Sequence, residues 1–160
     1  MMKLKVKKLR PDAHIPKYET PGAACFDLRV PGDPDALSAD PTALNVTPVL
    51  YGKPVVFDTG LAFDIPDGYV MLIFSRSGHG FNKDTRLANC VGVIDSDYVG
   101  EVKVKLTSDA VWTSQGSLYV KPGSAIAQAM VLPVEQVGFE EVEELKTTER
   151  GANGFGSTGA

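Results

Sequence analysis

Cysteine is scarce. Cys25 and Cys90 are the only two in 160 residues, too few for a disulfide framework and without the spacing of metal ligands. They read as buried thiols in a reducing compartment. No apolar run reaches the roughly 18 residues that a membrane helix needs. The basic start, MMKLKVKKLR, is followed by PDAHIPKYE and not by an apolar stretch, so no export signal is visible. An excess of positive charge is also missing. Sixteen Lys and Arg stand against twenty Asp and Glu, a formal charge of -4, so no overall basic field favours duplex nucleic acid or an anionic membrane. An anionic ligand would need a local pocket. There is no GxxxxGK[ST] loop, no heptad pattern, no repeat of about 20 to 50 residues and no strong helical periodicity. An all-β, cytoplasmic single domain with a real core is what these absences leave.

The most informative stretch is Asn89 to Leu106, NCVGVIDSDYVGEVKVKL. Val91, Val93 and Ile94 lead into the turn Asp95-Ser96-Asp97; after Gly100, Val102, Val104 and Leu106 alternate with Glu101, Lys103 and Lys105. The pattern predicts two strands joined as a rigid hairpin, with Asp95 and Tyr98 at its mouth. Asp95 reads either as a general base or as a turn cap, and Tyr98 either as a platform under a ring or as cross-strand packing.

Upstream, Leu4 and Val6 alternate with lysines, which predicts an edge strand with one wet face. Three prolines, Pro11, Pro16 and Pro21, exclude a helix from the next segment, where His14 reads as a solvated loop residue. AACFDLRV, residues 23 to 30, predicts a short strand carrying Asp27. Pro31 to Pro54 loses all pattern and reads as a surface excursion. After the strands around the turn at Asp64 to Gly68, the loop Ser75 to Gly80 offers Arg76, Ser77 and Gly78, a set able to grip a phosphate but also ordinary in a surface loop.

Downstream of the hairpin, turns are expected at Ser114 to Gly116 and Lys121 to Gly123, with Trp112 and Tyr119 as core or interface aromatics. Gln128, inside an apolar strand, needs partners for its amide. These are either backbone groups or a ligand. FEEVEELK is an extended acidic segment facing solvent. The chain closes in TTERGANGFGSTGA, where glycines confer flexibility while Arg150, Phe155, Gly156, Ser157 and Thr158 could wrap phosphates and stack on a base.

Taken together, AACFDL, SRSG, NCVGVIDSDYVGE, GSAIAQ and ERGANGFGSTG resemble, in content and order, the five motifs of the trimeric deoxyuridine 5'-triphosphate nucleotidohydrolases, the dUTPases. The resemblance runs from about Leu4 to the C-terminus. It implies a distorted β jelly-roll subunit over residues 1–147, an arm over 148–160 that closes a neighbouring active site, and a homotrimer. The implied reaction is magnesium-dependent hydrolysis of dUTP to dUMP and pyrophosphate, which keeps uracil out of DNA and supplies dUMP for dTMP synthesis.

By position, Asp95 would activate the attacking water and Tyr98 would lie against the deoxyribose. Asn89, Val93, Ile94, Asp95 and Lys103 would surround the uracil. Arg76, Ser77, Gly78 and Gln128 would hold the phosphates. Arg150, Gly156, Ser157 and Thr158 would close over the γ-phosphate with Phe155 on the base, and Asp27 would hold Mg2+ through water.

Some positions depart from the family pattern. Cys25 stands where glycine is usual and Ser75 where proline is common. His79 and Gly80 replace leucine and alanine, and Asn153 replaces a glycine. The 31–54 excursion is longer than in typical members and is where a protein partner would dock. The same residues leave two other readings, a dCTP deaminase of the same fold and a dUTPase-like regulatory module that binds a protein.

Overall fold

The computed structural model describes residues 2–33, 46–110 and 118–154. Residues 34–45 of the excursion, Trp112, the turn at Ser114 to Gly116, and Phe155, Gly156, Ser157 and Thr158 lie outside the described residues. Eleven strands are described: β1 (Lys5–Lys8), β2 (Phe26–Arg29), β3 (Thr47–Val49), β4 (Val55–Asp58), β5 (Leu61–Asp64), β6 (Tyr69–Phe74), β7 (Thr85–Leu87), β8 (Val91–Ile94), β9 (Lys103–Ser108), β10 (Leu118–Val120) and β11 (Ala125–Pro133), with one helix, α1 (Ser77–Lys83). Sheets of order β2-β11-β6-β8 and β4-β9-β7 are joined by the pairs β1-β5 and β10-β3. Every pairing between these strands is antiparallel.

Alternation fixes the core. Val102, Val104 and Leu106 are buried while Lys103 and Lys105 face out, the two-residue period of a strand with one dry face. Leu28, Leu61, Ile65, Met71, Leu87 and Ile126 complete the interior. Each such side chain contributes about 1.5–3 kcal/mol on burial. The buried hydroxyls are matched: Thr59 Oγ1 donates to Val102 O at 2.6 Å and Thr85 Oγ1 to Lys83 O at 2.8 Å. As expected of an edge strand, β1 pairs among the described residues with β5 alone, and Lys5 on its wet face reaches Asp64 at 2.7 Å.

Five local expectations are corrected. Val91–Ile94 and Lys103–Ser108 are strands, but they do not pair with each other: β8 joins β6 and β9 joins β4 and β7. The excursion is not wholly irregular, because Thr47–Val49 pairs with β10. The loop after β6 contains α1, closed by Asp84 in the left-handed region at φ 45° with its N–H donated to His79 O. His14 is tied down, its Nε2 2.7 Å from the Gly32 carbonyl. Both cysteines are free thiols but neither is buried: Cys25 is half-buried and Cys90 is exposed, in a tight turn at φ 63°.

Candidate active site

Strand register brings three of the expected motifs together. Gln128 of β11 lies opposite Asp27 of β2 on one side and Phe74 of β6 on the other. Its Nε2 donates to Ser75 O at 3.0 Å, and Ser75 Oγ accepts from the Leu87 N–H at 2.9 Å. The Gln128 amide therefore has a backbone partner, and it anchors the turn that presents Arg76.

The Arg76 guanidinium is held from several sides. Its Nε lies 3.3 Å from Asp27 Oδ1, Nη2 donates to Asp27 Oδ2 at 3.4 Å, and Nη1 donates to Ala125 O at 3.3 Å. Arg29 Nη2 is 3.5 Å from Asp27 Oδ2 and 2.9 Å from Glu19. The Asp27 side chain is 13% exposed and that of Arg76 35%. Two guanidiniums therefore face this enclosed carboxylate and supply its charge partners. His79 joins the cluster, with Nε2 3.4 Å from Arg76 Nη1. Burial holds its imidazole below the ordinary histidine range; Arg76 pushes it further down, and Asp27 opposes both. Ser77 and Gly78, at the start of α1, are exposed. Arg29, Arg76, His79, Tyr119 and Ser124 line a cleft of about 210 Å³. Tyr119, on the short edge strand β10, is 58% exposed and no core residue.

The second group lies between the two sheets. Because β8 is the last strand of its sheet, one of its edges is open. Facing it is the start of β9, where β7 no longer pairs: the β7–β9 register spans only Leu106 to Ser108 on β9. The space between is a cleft of about 450 Å³ lined by Asn89, Gly92, Val93, Ile94, Lys103 and Val104, among others. It continues into one of about 310 Å³ that adds Asp95, Tyr98 and Glu101. Asn89, Val93 and Asp95 are all exposed to it or to solvent.

The mouth is shaped by local contacts. The Tyr98 N–H donates to Asp95 O at 3.2 Å, closing the turn. Tyr98 Oη donates to Glu101 O at 2.9 Å, folding the ring back over Gly100. Lys103 Nζ lies 2.8 Å from Asp58 and 3.4 Å from Glu101, and hydrogen bonding to Asp58 raises its pKa above the usual lysine value. Glu101 Oε1 also accepts the Gly60 N–H at 2.9 Å.

The two groups of residues line separate clefts, with no lining residue in common. Arg150 belongs to neither. It is exposed, and its Nε donates to Asn153 O at 2.8 Å in a turn where Gly151 has φ 54°.

For a divalent metal, no three His, Cys, Asp or Glu side chains converge among the described residues. Asp27, one carboxylate already facing two guanidiniums, does not fit direct coordination. It fits contact with a hydrated cation through water.

A family model described as dUTPase matches residues 11–159. The chain belongs to the dUTPase family. The deoxyuridine 5'-triphosphate nucleotidohydrolase of Nautilia profundicola is 44% identical over 158 residues, covering 99% of both chains. That of Bordetella avium is 39% identical over 158 residues, 98% of this chain and 95% of its own. The structure of the Staphylococcus bacteriophage 80alpha dUTPase with dUPNHPP matches all of both chains at a TM-score of 0.81 and 24% identity. The dUTPase of phage phi11 of S. aureus, described with a structural Mg(II) ion, matches 91% of this chain and 100% of its own at 0.73 and 20%. The jelly-roll dUTPase fold is thus shared. The contacts of His79 and Glu101 were not legible beforehand: Glu101 Oε1 accepts the N–H of Gly60, 41 residues away, and His79 meets Arg76 only once α1 has formed.

Proposed function

We propose that this chain hydrolyses dUTP to dUMP and pyrophosphate, and that the open slot between β8 and β9 reads the base. Alternate residues of an unpaired strand edge direct N–H and C=O groups outward. Two such edges facing across a gap can meet the donor and acceptor pattern of uracil. A mutually paired hairpin could not, since its ladder would consume those groups. Cytosine would set like groups against each other and leave them unpaired in a dry slot, which is the costly kind of mismatch. Asn89, Val93, Ile94 and Lys103 form the walls around the base in this proposal.

Asp95, at the end of β8, is the general base that deprotonates the water attacking the α-phosphorus. A placed carboxylate supplies about 10²- to 10⁴-fold, and the rest comes from charge stabilisation of the triphosphate and exclusion of water. Tyr98 lies beneath the deoxyribose, where it leaves no room for a 2'-hydroxyl. Arg76, Ser77, Gly78 and Gln128 form the phosphate cradle, with Gln128 acting through the Ser75 turn. Asp27 would hold Mg2+ through water, and the metal would supply charge to neutralise the phosphates. Arg150, Gly156, Ser157 and Thr158 close over the γ-phosphate and Phe155 covers the base, as an arm of residues 148–160 attached to a domain of residues 1–147.

Three copies assemble around shared sites. Support for sharing comes from the separation of the two clefts within one chain and from the exposed segment that leads to the arm. Free thiols and the absence of any described helix long and apolar enough to cross a membrane fit a cytoplasmic nucleotide enzyme. The relatives named as dUTP nucleotidohydrolases favour this reaction over dCTP deamination.

The test is pyrophosphate release with Mg2+ from dUTP, dCTP, dTTP and UTP, together with ammonia release from dCTP, by wild type and Asp95→Asn. Release from dUTP alone, lost in a variant that still binds dUTP, is the expected result. Ammonia from dCTP, or near-normal turnover by Asp95→Asn, would sink it.

A further inference from the structure

The cluster around Arg76 contains one group to which the proposed reaction assigns no task, His79. Its ring sits half-buried on α1, and it borders the same cleft as Arg29, Arg76, Tyr119 and Ser124. Arginine has no acceptor, so the 3.4 Å approach of Arg76 Nη1 makes His79 Nε2 the acceptor and puts the ring proton on Nδ1. Nδ1 is itself buried, with no hydrogen-bond partner among the described residues. A side chain that served only to fill space would do so at less cost as a leucine, which buries no polar atom. What the imidazole adds is the lone pair directed at the guanidinium.

We propose that His79 is a positioning residue for the triphosphate: its Nε2 and the Ala125 carbonyl fix Nη1 of Arg76 from two directions, so that the guanidinium meets the phosphates in one preset orientation. The proposal rests on the reading of Arg76 as a phosphate ligand. Asp27 holds the Nε and Nη2 side of the fork at 3.3 and 3.4 Å. Without His79, Nη1 would keep only the 3.3 Å contact to Ala125 O, and the plane could tilt about the Asp27 contact. With Asp27 on Nε and Nη2, and His79 and Ala125 on Nη1, one Nη2 N–H of the five guanidinium donors is left for a phosphate, and it keeps that direction only while the plane is fixed.

The 3.4 Å separation is at the long end for a hydrogen bond, so the expected effect is modest: KM for dUTP rises about three- to tenfold in His79→Leu, with kcat little changed. His79→Gln, which offers a neutral acceptor of comparable reach, should recover most of the loss. A role confined to packing would give the opposite order, since leucine fills the site and glutamine does not, and it would move the thermal midpoint without splitting KM from kcat. Arg76→Met is measured alongside. If Arg76→Met raises KM strongly and His79→Leu leaves it unchanged, the proposal for His79 is wrong and the role of Arg76 stands. If neither moves KM, Arg76 does not grip phosphate and both readings fall. All variants are first matched to wild type in elution volume. Should His79→Leu not fold, the Gln variant alone decides, because a rise beyond about threefold in its KM would contradict an acceptor role.

Discussion

Gly100 shows how much one missing methyl group can decide. A Cβ there would stand 2.7 Å from Tyr98 Oη and 2.8 Å from Cζ, closer than side-chain atoms approach. Glycine alone lets the ring fold over the chain and donate to Glu101 O. In Gly100→Ala the ring must swing out of the slot mouth. With Tyr98 as the sugar platform, kcat/KM for dUTP should fall about 10- to 100-fold, and the preference for dUTP over UTP should shrink. The thermal midpoint should change little, since Tyr98 is 45% exposed and anchors nothing in the core. Steady-state kinetics with both nucleotides checks this, and an unaltered dUTP-to-UTP ratio would remove Tyr98 from sugar recognition.

His79 gives a pH prediction at the same scale. Its proton affinity in the folded state is held down by burial first and by Arg76 second, with Asp27 opposing. The unfolded chain has the ordinary value near 6.5 and so binds the proton more readily. Its contribution to stability is then fully present above about 6.5 and is lost as pH falls below that value. Urea midpoints measured from pH 7.5 to 5.5 should decline, and His79→Leu should decline less over that same interval, on the order of one pH unit either side of the ordinary pKa. Identical slopes would assign the decline to other groups.

Among the elements, β11 is the one the site hangs from. It lies between β2 and β6, and Ile126, fully buried on it, sits at the irregularity in its pairing with β2. Ile126→Ala should cost about 2–5 kcal/mol in urea denaturation, and the variant should lose dUTP turnover in step with its folded fraction. A loss below about 1 kcal/mol would mean the sheet closes around the gap more readily than a rigid cradle allows.

The strands were legible because Val102, Val104 and Leu106 alternate with charged residues, and because Asp27 and Gln128 each sit in short apolar runs. Two things were not. The separation of β8 from β9 depends on which distant strands capture each: Leu72 and Ile73 of β6 face Val93 and Gly92, while β4 takes Lys103 to Leu106. A local turn flanked by alternating residues carries no such information. Helix α1 was hidden because it has two glycines in seven residues and buries none of its residues, so neither propensity nor an apolar stripe marks it. The site residues followed the same division. Asp27, Arg76 and Gln128 stood out by type and order, whereas the Asp27–Arg76 contact joins residues 49 apart in sequence and exists only after β2 and β6 have both paired with β11.

Viewed as a whole, the molecule ends in a segment that a single copy leaves in water. Every described residue from Leu132 to Gly154 is exposed, including Phe139 at 97% and Leu145 at 86%. Large apolar side chains presented along an extended chain are the pattern of a surface made to be covered, and in the trimer proposed above a second and third copy of the chain would supply the cover. The arm beyond it would then serve a site built on another copy's β8–β9 slot. Sharing of this kind makes a prediction that no single-chain site can imitate. Asp95→Asn with an intact arm should be inactive, and a chain truncated before Arg150 with Asp95 intact should be folded, trimeric and severely reduced in kcat/KM. Co-expressed, the two form mixed trimers in which some sites combine Asp95 of the truncated chain with the arm of the Asn variant. Those sites should restore about one-quarter of wild-type turnover for random mixing in equal amounts, roughly a fourfold deficit instead of the 10²-fold or greater loss expected from removing a general base. If each arm closes the site of its own chain, every site in the mixture lacks one part, and co-expression restores nothing above the sum of the two variants.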